Sequence, residues 1–530
     1  MTAPGPETAV PAYVTTDRGQ VHLWIDGTGP TLVAVAGLTR SARVLLADLR
    51  RVLPQWRVVA VEPPGVGGSS AVSSSDVQDA AAAVAQSLSF LDGEPCALLC
   101  AELSCALGPA LGAALDPTAT VLLDPESALG WVEGGVRPPP GAPLDDGGHL
   151  TALWSFLRDR RLLRADDPAL PRSSGAPLPS TAELSAGFVD AATDPGAFGR
   201  AWRLLGSALP AALRALPDAP RAATVDDVPA VLGETAASSA APGPTAPLPG
   251  TAVWHEHRDT AAGRVHLRRA GSSGPPVLVL PTGGGSSAQF APVVSGLARS
   301  RTVVAVDWFG NGLSEQLDRT ANAATLAEEA FAVADALGWD VFDLWGSHTG
   351  ACVALEMAVT RPERIGRAVL EAPVMVTPQF REELLASYFP DLAPHPFGLH
   401  VQQAWHWRRD MFMYWPWYAV EHTATRALGV PSAEDLQLYA VGILQSGTTY
   451  DGAYRAGFGY DTRSRLPLLR VPAILTAGPD DMLANALDDA ASLVPDGLLQ
   501  IRPTPTTMWW PAPDPQAAEQ TLAVYRDFLG

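Results

Sequence analysis

Short runs of aliphatic and β-branched residues alternate along the chain with longer stretches rich in Ala and Leu. The short runs fall at residues 31–36, 57–62, 96–101 and 119–124, and again at 277–281, 302–307, 341–346 and 367–372. They do not alternate apolar with polar positions, which indicates strands buried on both faces of a sheet. Strands that alternate with helical stretches predict a mostly parallel sheet flanked by helices, the α/β class.

The second half of the chain repeats the sequence pattern of the first half. The segment RGQVHLWIDGTGPTLVAVAG (18–37) matches AGRVHLRRAGSSGPPVLVLPTGG (262–284), and RVVAVEPPGVGGSS (57–70) matches TVVAVDWFGNGLSE (302–315). The offset between the members of each pair is nearly constant. A repeat of this length predicts two tandem domains with one fold.

The repeat also includes an insertion. GGHLTALWSFLRDRRLLR (147–164) aligns with FGLHVQQAWHWRRDMFMYW (397–415). The two segments share the pairs His149 and His400, Trp154 and Trp405, Arg158 and Arg409, and Asp159 and Asp410. We therefore expect a helical cap in each copy in addition to the sheet.

A segment rich in Ala, Ser, Pro and Gly separates the copies and is typical of a linker. We predict a first domain at residues 1–235, a linker at 236–250 and a second domain at 251–530, with its cap insertion at about 375–465.

The first copy is predicted to be truncated. After VPAILTAGPDDML (471–483) the second copy continues through a further strand and a final helix, whereas the first copy reaches VPAVLGE (228–234) and then meets the linker. A missing terminal strand leaves a sheet edge that needs cover. We expect the two copies to pack against each other there; the sequence leaves oligomerisation open.

The segment DLWGSHTGACVALEMA (343–358) predicts a strand, a tight turn and a helix. Gly346 and Gly350 bracket the turn, with His348 between them, in the layout of a nucleophile elbow. Together with TGGGSS (282–287), VDWFGNGLSE and VPAILTAGPDD in this order, the segment makes the second half resemble the α/β-hydrolase superfamily along nearly its whole length. The first half resembles a degraded copy of the same fold.

The resemblance implies roles for several residues of the second copy. The loop at 282–285 is expected to supply an oxyanion hole through Gly283 and Gly284, together with the backbone N–H of Thr349. Asp481 corresponds to the superfamily's usual acid.

Two departures from the superfamily pattern stand beside these matches. His348 takes the place of the usual Ser, and Thr507 or Met508 stands where the base is expected. A shift of the turn by one residue, which puts Ser347 at the tip, remains an alternative.

An imidazole on the elbow suits general-base chemistry more than an acyl-enzyme mechanism. We take His348 as the candidate base, with Asp481 or Glu371 as the acid that orients it. The alternative is that His348 fills an inactive elbow.

The cap of the second copy carries candidate substrate-binding residues: His400, Trp405, Trp407, Arg409 and Asp410. Arg409 can offer a bidentate fork to a carboxylate or carbonyl group, and the indoles can line an apolar pocket. The alternative is that the aromatic residues pack the cap onto the sheet and that Arg409 and Asp410 form a structural ion pair. In the first copy Glu102 stands at the position of His348, as a working carboxylate or as part of a scaffold.

Composition narrows the function classes. The formal net charge is −20, which argues against nucleic acid and anionic membranes as partners. All 36 basic residues are Arg, which excludes Schiff-base chemistry on Lys. The four Cys residues fit a reducing cytoplasm and have no zinc spacing, so neither metal nor cofactor is expected. The N-terminal residues show no export signal, and we expect a cytoplasmic protein.

The sequence thus predicts a cofactor-independent enzyme that acts on a small apolar or aromatic carbonyl compound. The reactions open to a general base include water-mediated ester or thioester hydrolysis, and cyclisation, elimination or C–C cleavage. Duplication and the Arg-only basic set would suit biosynthesis in a GC-rich bacterium. The rival prediction is a non-catalytic pseudo-hydrolase that binds a ligand or a partner protein.

Overall fold

The computed structural model describes residues 9–163, 172–175, 177–233, 235–316, 319–494, 497–511 and 513–530. The chain divides into two compact units. The N-terminal unit comprises residues 1–144, 148–246 and 394–399, and the C-terminal unit comprises 145–147, 247–393 and 400–530.

The N-terminal unit contains a seven-stranded sheet with the order β1-β2-β4-β3-β5-β6-β7. Strands β1, β2 and β4 pair antiparallel, and the remaining pairs are parallel. The strands are β1 Val10–Thr16, β2 Gly19–Asp26, β3 Thr31–Val35, β4 Arg57–Val61, β5 Cys96–Ala101, β6 Thr120–Leu123 and β7 Arg221–Ala222. The helices are α1 Ala42–Val52, α2 Val77–Ser87, α3 Gly108–Leu115, α4 Pro125–Glu133, α5 Gly148–Leu162, α6 Thr181–Thr193, α7 Pro195–Ala215 and α8 Val228–Val231.

The C-terminal unit contains an eight-stranded sheet with the order β15-β14-β13-β12-β10-β11-β9-β8. The strands are β8 Trp254–Thr260, β9 Gly263–Ala270, β10 Pro276–Leu280, β11 Thr302–Val306, β12 Phe342–Ser347, β13 Ile365–Glu371, β14 Ala473–Thr476 and β15 Leu499–Ile501. The helices are α9 Ala291–Leu297, α10 Ala323–Ala336, α11 Thr349–Thr360, α12 Pro378–Ser387, α13 Leu399–Met413, α14 Ala433–Ser446, α15 Gly452–Gly459, α16 Thr462–Arg465, α17 Leu487–Ala491 and α18 Pro515–Leu529. Helices α12 to α16 lie between β13 and β14 in the chain, where the sequence predicts the cap.

The central strands of both sheets are buried along their whole length, because each is covered by helices on both faces. This confirms the predicted α/β fold with two mostly parallel sheets. The eight apolar runs predicted as strands coincide with β3 to β6 and β10 to β13 to within about two residues.

The two sheets have one strand order, and the C-terminal sheet adds β15 at its edge. The counterpart of β14 in the N-terminal sheet is the short β7, and the segment VPAV that follows it forms helix α8. Thr224 and Asp227 form a capping box that starts a helical turn at this point, and Pro229 occupies its first turn. No described helix of the chain has the length and apolar character needed to cross a membrane.

Candidate active site

The elbow of the C-terminal unit joins β12 to α11 through His348, which has φ 50° and ψ −107°. A positive φ is rare for a residue with a side chain, and it persists only where the surrounding structure enforces it. The backbone N–H of His348 donates to the carbonyl of Glu371 at 2.9 Å, which ties the turn to the end of β13. The turn therefore holds the imidazole at the carboxyl edge of the sheet.

His348 contacts an acid and a hydroxyl through its two ring nitrogens. Its Nε2 lies 3.2 Å from Oδ2 of Asp481, within ion-pair distance but not aligned as a regular hydrogen bond. Its Nδ1 lies 3.0 Å from Oγ of Ser347. The imidazole side chain is 11% exposed, and the Asp481 side chain is fully buried.

Asp481 is held by groups that stabilise its ionised form. The indole N–H of Trp509 donates to Oδ2 at 2.8 Å, and the backbone N–H of Leu483 donates to Oδ1 at 2.9 Å. Burial acts to raise the pKa of Asp481, but the charge of His348 and these hydrogen bonds outweigh it, and the pKa is lowered. The rings of His348 and Trp509 form a T-shaped contact, with centroids 5.2 Å apart at 89°.

Glu371 lies behind the elbow and is fully buried. Its Oε2 accepts the backbone N–H of Met508 at 2.9 Å and the hydroxyl of Tyr525 at 2.5 Å. Its Oε1 has no hydrogen-bond partner among the described residues. Burial raises the pKa of Glu371 to about 7, although both hydrogen bonds act to lower it. Of the two predicted acids, the structure places Asp481 against the imidazole and Glu371 against the backbone of the elbow.

We expect Glu371→Gln to remove a pH-dependent loss of stability. A carboxyl whose pKa in the folded protein is about 7, against 4.5 as its ordinary value, destabilises the fold progressively as the pH rises through that interval. The free energy of unfolding of the variant should gain on the wild type by up to about 3 kcal/mol between pH 4.5 and pH 8. Denaturant unfolding at a series of pH values measures this gain, and a difference that is independent of pH would contradict it.

The predicted oxyanion loop is close to the elbow but is covered by the cap. A Cβ atom on Gly283 would lie 2.8 Å from the Thr349 hydroxyl and 2.6 Å from Cα of Tyr454. A Cβ atom on Gly284 would lie 2.1 Å from the ring of Tyr454, so that ring rests directly on the loop. Gly283, Gly284 and Thr349 are therefore brought together, and Tyr454 occupies the space above them.

The predicted binding residues of the cap lie on α13 in two settings. His400, Trp405 and Trp407 are buried. Arg409 and Asp410 are partly exposed and pair with each other at 3.0 Å. Trp407 faces the aromatic side chains near the oxyanion loop, including Tyr454, whose ring centroid lies 6.1 Å away.

Sequence reasoning missed Arg408, the residue before Arg409. Arg408 is only 2% exposed, and its Nη1 donates to the hydroxyl of Tyr454 at 2.7 Å and to Sδ of Met411 at 3.5 Å. One signal was available in the repeat, because α5 and α13 have equal length and place the buried Leu157 opposite Arg408.

The position of the superfamily's base is filled by a structural hydroxyl. The Thr507 hydroxyl accepts the backbone N–H of Gly478 at 2.9 Å and thereby joins the loops that follow β14 and β15. A cavity of about 270 Å³ opens beside these loops and is lined in part by Arg426, Asp481 and Trp509. The cavity lies beside the loop that carries Asp481, whose own side chain is fully buried.

The N-terminal unit has an elbow with the same backbone conformation, but its own side chain fills the space beside the turn. Glu102 has φ 52°, matching His348 in backbone conformation. Its carboxylate accepts the backbone N–H of Thr39 at 3.0 Å and the Thr39 hydroxyl at 2.7 Å, in the loop equivalent to 282–285. A Cβ atom on Gly37 would lie 2.3 Å from Glu102. The elbow carboxylate therefore fills the space in which an oxyanion would bind.

Comparison with known proteins gives a family match and several similar proteins. Residues 275–407 match the family model described as alpha/beta hydrolase fold. A 2-hydroxymuconate semialdehyde hydrolase of Pseudomonas sp. (strain CF600) is 35% identical over 139 residues, which cover 25% of this chain and 49% of that protein. Its counterpart in Pseudomonas putida is 37% identical over 122 residues, which cover 22% of this chain and 43% of that protein. The chain thus spans about half the length of these relatives.

Among solved structures, a hydrolase from Pseudomonas aeruginosa PA01 is 20% identical, with a TM-score of 0.41 over 52% of this chain and 98% of that chain. The strand order of the C-terminal unit, its elbow at His348 and the match to the family model over residues 275–407 show that this unit has the α/β-hydrolase fold.

Proposed function

We propose that the C-terminal unit is a hydrolase that cleaves an apolar or aromatic carbonyl compound, with His348 as general base. The observation that carries the proposal is the contact of His348 with Asp481 at the elbow, at 3.2 Å. Hydrolase activity in the similar Pseudomonas proteins, as their names state it, supports the same reaction class. These relatives match over only part of their length, so the chemistry must be argued from the residues.

The contacts of His348 favour one protonation pattern. With Nε2 protonated beside the Asp481 carboxylate, Nδ1 carries a lone pair and accepts the Ser347 hydroxyl. This is an assignment from the electrostatics of the contacts. A hydroxyl, an imidazole and a buried carboxylate then follow one another in the order of a proton relay.

Water is the proposed nucleophile. Ser347 is fully buried at the end of β12, whereas the imidazole is 11% exposed. A water molecule that replaces the Ser347 hydroxyl at Nδ1 can attack the carbonyl carbon while its proton moves to Nδ1. Asp481 stabilises the resulting imidazolium, which then protonates the leaving group as the carbonyl re-forms.

The developing oxyanion is assigned to the loop at 282–285 and the backbone N–H of Thr349, the first residue of α11. Binding there requires that Tyr454 move away from Gly284. The same base can remove a proton from carbon, so cyclisation, elimination and C–C cleavage belong to the same proposal.

A second candidate function is ligand binding without turnover, as in a pseudo-hydrolase. The ring of Tyr454 on Gly284 favours it, because a loop that never accepts an oxyanion has no need to stay open.

Asp481→Asn tests the catalytic proposal. Asn is neutral, so it cannot offset the positive charge of the imidazolium, and it is a weaker acceptor for the Nε2 proton. We therefore expect kcat to fall about 100-fold on a panel of 4-nitrophenyl esters and aryl thioesters. Stopped-assay or spectrophotometric rates of purified wild-type and variant protein measure the change. Absence of turnover across the panel, with binding of the same compounds retained, would favour the pseudo-hydrolase.

A fluorophosphonate probe separates the two nucleophiles. We expect no labelling of Ser347 in intact protein analysed by peptide mass spectrometry. Stoichiometric labelling of Ser347 would replace water with an acyl-enzyme mechanism and move the reactive position by one residue.

A further inference from the structure

Arg408 is a buried cation that pairs with no carboxylate of the described residues. Among the described residues its hydrogen bonds go to the hydroxyl of Tyr454 and the sulfur of Met411, and its Nε has no partner. The rings of Tyr439 and Trp407 face the guanidinium at 5.3 and 5.8 Å and compensate the charge only in part. Carboxylates are not scarce in a chain with 56 acidic and 36 basic residues.

Packing alone does not require a charge at this position. The equivalent position in helix α5 is occupied by Leu157, which is fully buried. An arginine that replaces a buried aliphatic residue costs desolvation energy that neutral partners do not return. The guanidinium is therefore suited to a partner that is not part of the chain.

Tyr454 connects Arg408 to the oxyanion loop. Its hydroxyl accepts Nη1 of Arg408 at 2.7 Å, and its ring rests on Gly284. The phenol thus spans the distance from the buried cation to the loop, with an oxygen at one end and an apolar ring at the other. A carboxylate-bearing molecule with a reactive carbonyl about one ring length away has the same arrangement.

We propose that Arg408 binds the carboxylate of the substrate and that Tyr454 occupies this subsite in its absence. The inference rests on the proposed function of the same site and names its substrate class, an apolar or aromatic carbonyl compound with a free carboxylate. The planar guanidinium provides two parallel N–H donors for a carboxylate, which a phenol oxygen cannot use together.

Binding of benzoate tests the subsite without turnover. Benzoate should bind the full-length wild type, and Arg408→Leu, which carries the residue of the N-terminal copy, should weaken it at least tenfold. Arg57→Leu is the matched control, because Arg57 is also buried, forms no ion pair among the described residues and lies in the N-terminal unit. The affinity of Arg57→Leu for benzoate, measured by calorimetry, should stay within twofold of the wild-type value. Benzamide, which has no carboxylate, should bind the wild type and Arg408→Leu with equal affinity.

Equal affinity of wild type and Arg408→Leu for benzoate, or no binding to the wild type, overturns the inference. Tyr454→Phe guards against a folding defect in the first variant, because it keeps the cation and removes only the competing hydroxyl. It should tighten benzoate binding about threefold or more. Unchanged or weaker binding in Tyr454→Phe counts against Tyr454 as the resting occupant of the subsite and overturns that part of the proposal.

Ester selectivity links the subsite to the reaction. The ratio of kcat/KM for the 4-nitrophenyl monoester of glutaric acid to that for 4-nitrophenyl pentanoate should fall about 50-fold in Arg408→Leu and stay unchanged in Arg57→Leu. If neither ester is hydrolysed while benzoate binding still depends on Arg408, the proposed function fails and the anion subsite stands. If both esters are hydrolysed at an unaltered ratio, the subsite fails and the hydrolase stands.

Discussion

His348→Ala is expected to lower kcat about 10³- to 10⁴-fold on any compound that the wild type turns over. The imidazole is the one side chain at the elbow tip, and the position of the superfamily's base holds Thr507, whose hydroxyl already accepts a backbone N–H. Thr507 cannot take over the proton transfer, so the variant should lose most of the contribution of general-base catalysis. Steady-state kinetics of both proteins at pH 7 to 8 measure the loss.

The same position provides a control for folding. His348 has φ 50°, a conformation that Gly adopts without strain and Ala does not. His348→Gly should therefore match the activity loss of His348→Ala while unfolding at a free energy about 1 kcal/mol higher than that variant. Retention of more than a tenth of wild-type activity in either variant would remove His348 from the mechanism.

The equivalent elbow of the N-terminal unit offers a matched comparison. Glu102→Gln changes the residue that corresponds to His348, but its carboxylate is already bound by Thr39. We expect turnover within about twofold of the wild type. A large loss in this variant would show that the first copy takes part in the reaction.

The fold was predictable because strand burial and chain duplication leave strong signals in sequence. Short apolar runs without alternation, rich in β-branched residues, are typical of central strands, and a repeat at nearly constant offset indicates where the second sheet begins. The counterpart of β14 in the first copy was not predictable, because β7 is only two residues long and the similar segment VPAV follows it as helix α8, after the capping box of Thr224 and Asp227. Sequence similarity between the two copies therefore does not fix the conformation of a segment where a local capping box starts a helical turn.

The site was predictable only where backbone geometry dictates it. The elbow and the loops after β10 and β14 meet in any sheet of this order, which brings His348, Thr349 and Asp481 together. The sequence does not show which residues of α13 point into the site, because neighbouring helical residues point about 100° apart. The sequence pointed to Arg409 because an Arg stands at this position in both copies, where it pairs with the Asp that follows it. Arg408, one position earlier, is the buried arginine, and only the structure shows its burial.

Gly350→Ala is expected to destabilise the C-terminal unit by about 4 kcal/mol or more. An added Cβ atom would lie 1.9 Å from the carbonyl oxygen of Leu280 and 2.7 Å from that of Pro281. Both obstacles are backbone atoms at the end of the central strand β10, so no side-chain rotation relieves the overlap. Either α11 moves away from the sheet or the strand ends shift, and each change breaks close-packed contacts around the elbow.

Denaturant unfolding followed by tryptophan fluorescence measures this effect, with Gly459→Ala as the matched control. Gly459 ends helix α15 in the same unit, and a Cβ atom there meets nothing within 4 Å. That control should be as stable as the wild type or more stable by up to about 1 kcal/mol. Gly346 lies on the other side of the same turn, where an added Cβ atom would lie 2.3 Å from the Gly350 carbonyl oxygen, so both substitutions displace the start of α11. The double variant should therefore cost less than the sum of the single variants. Additive costs, or a Gly350→Ala protein that unfolds like the wild type, would mean that the close approach of strand and helix does not hold the elbow in place.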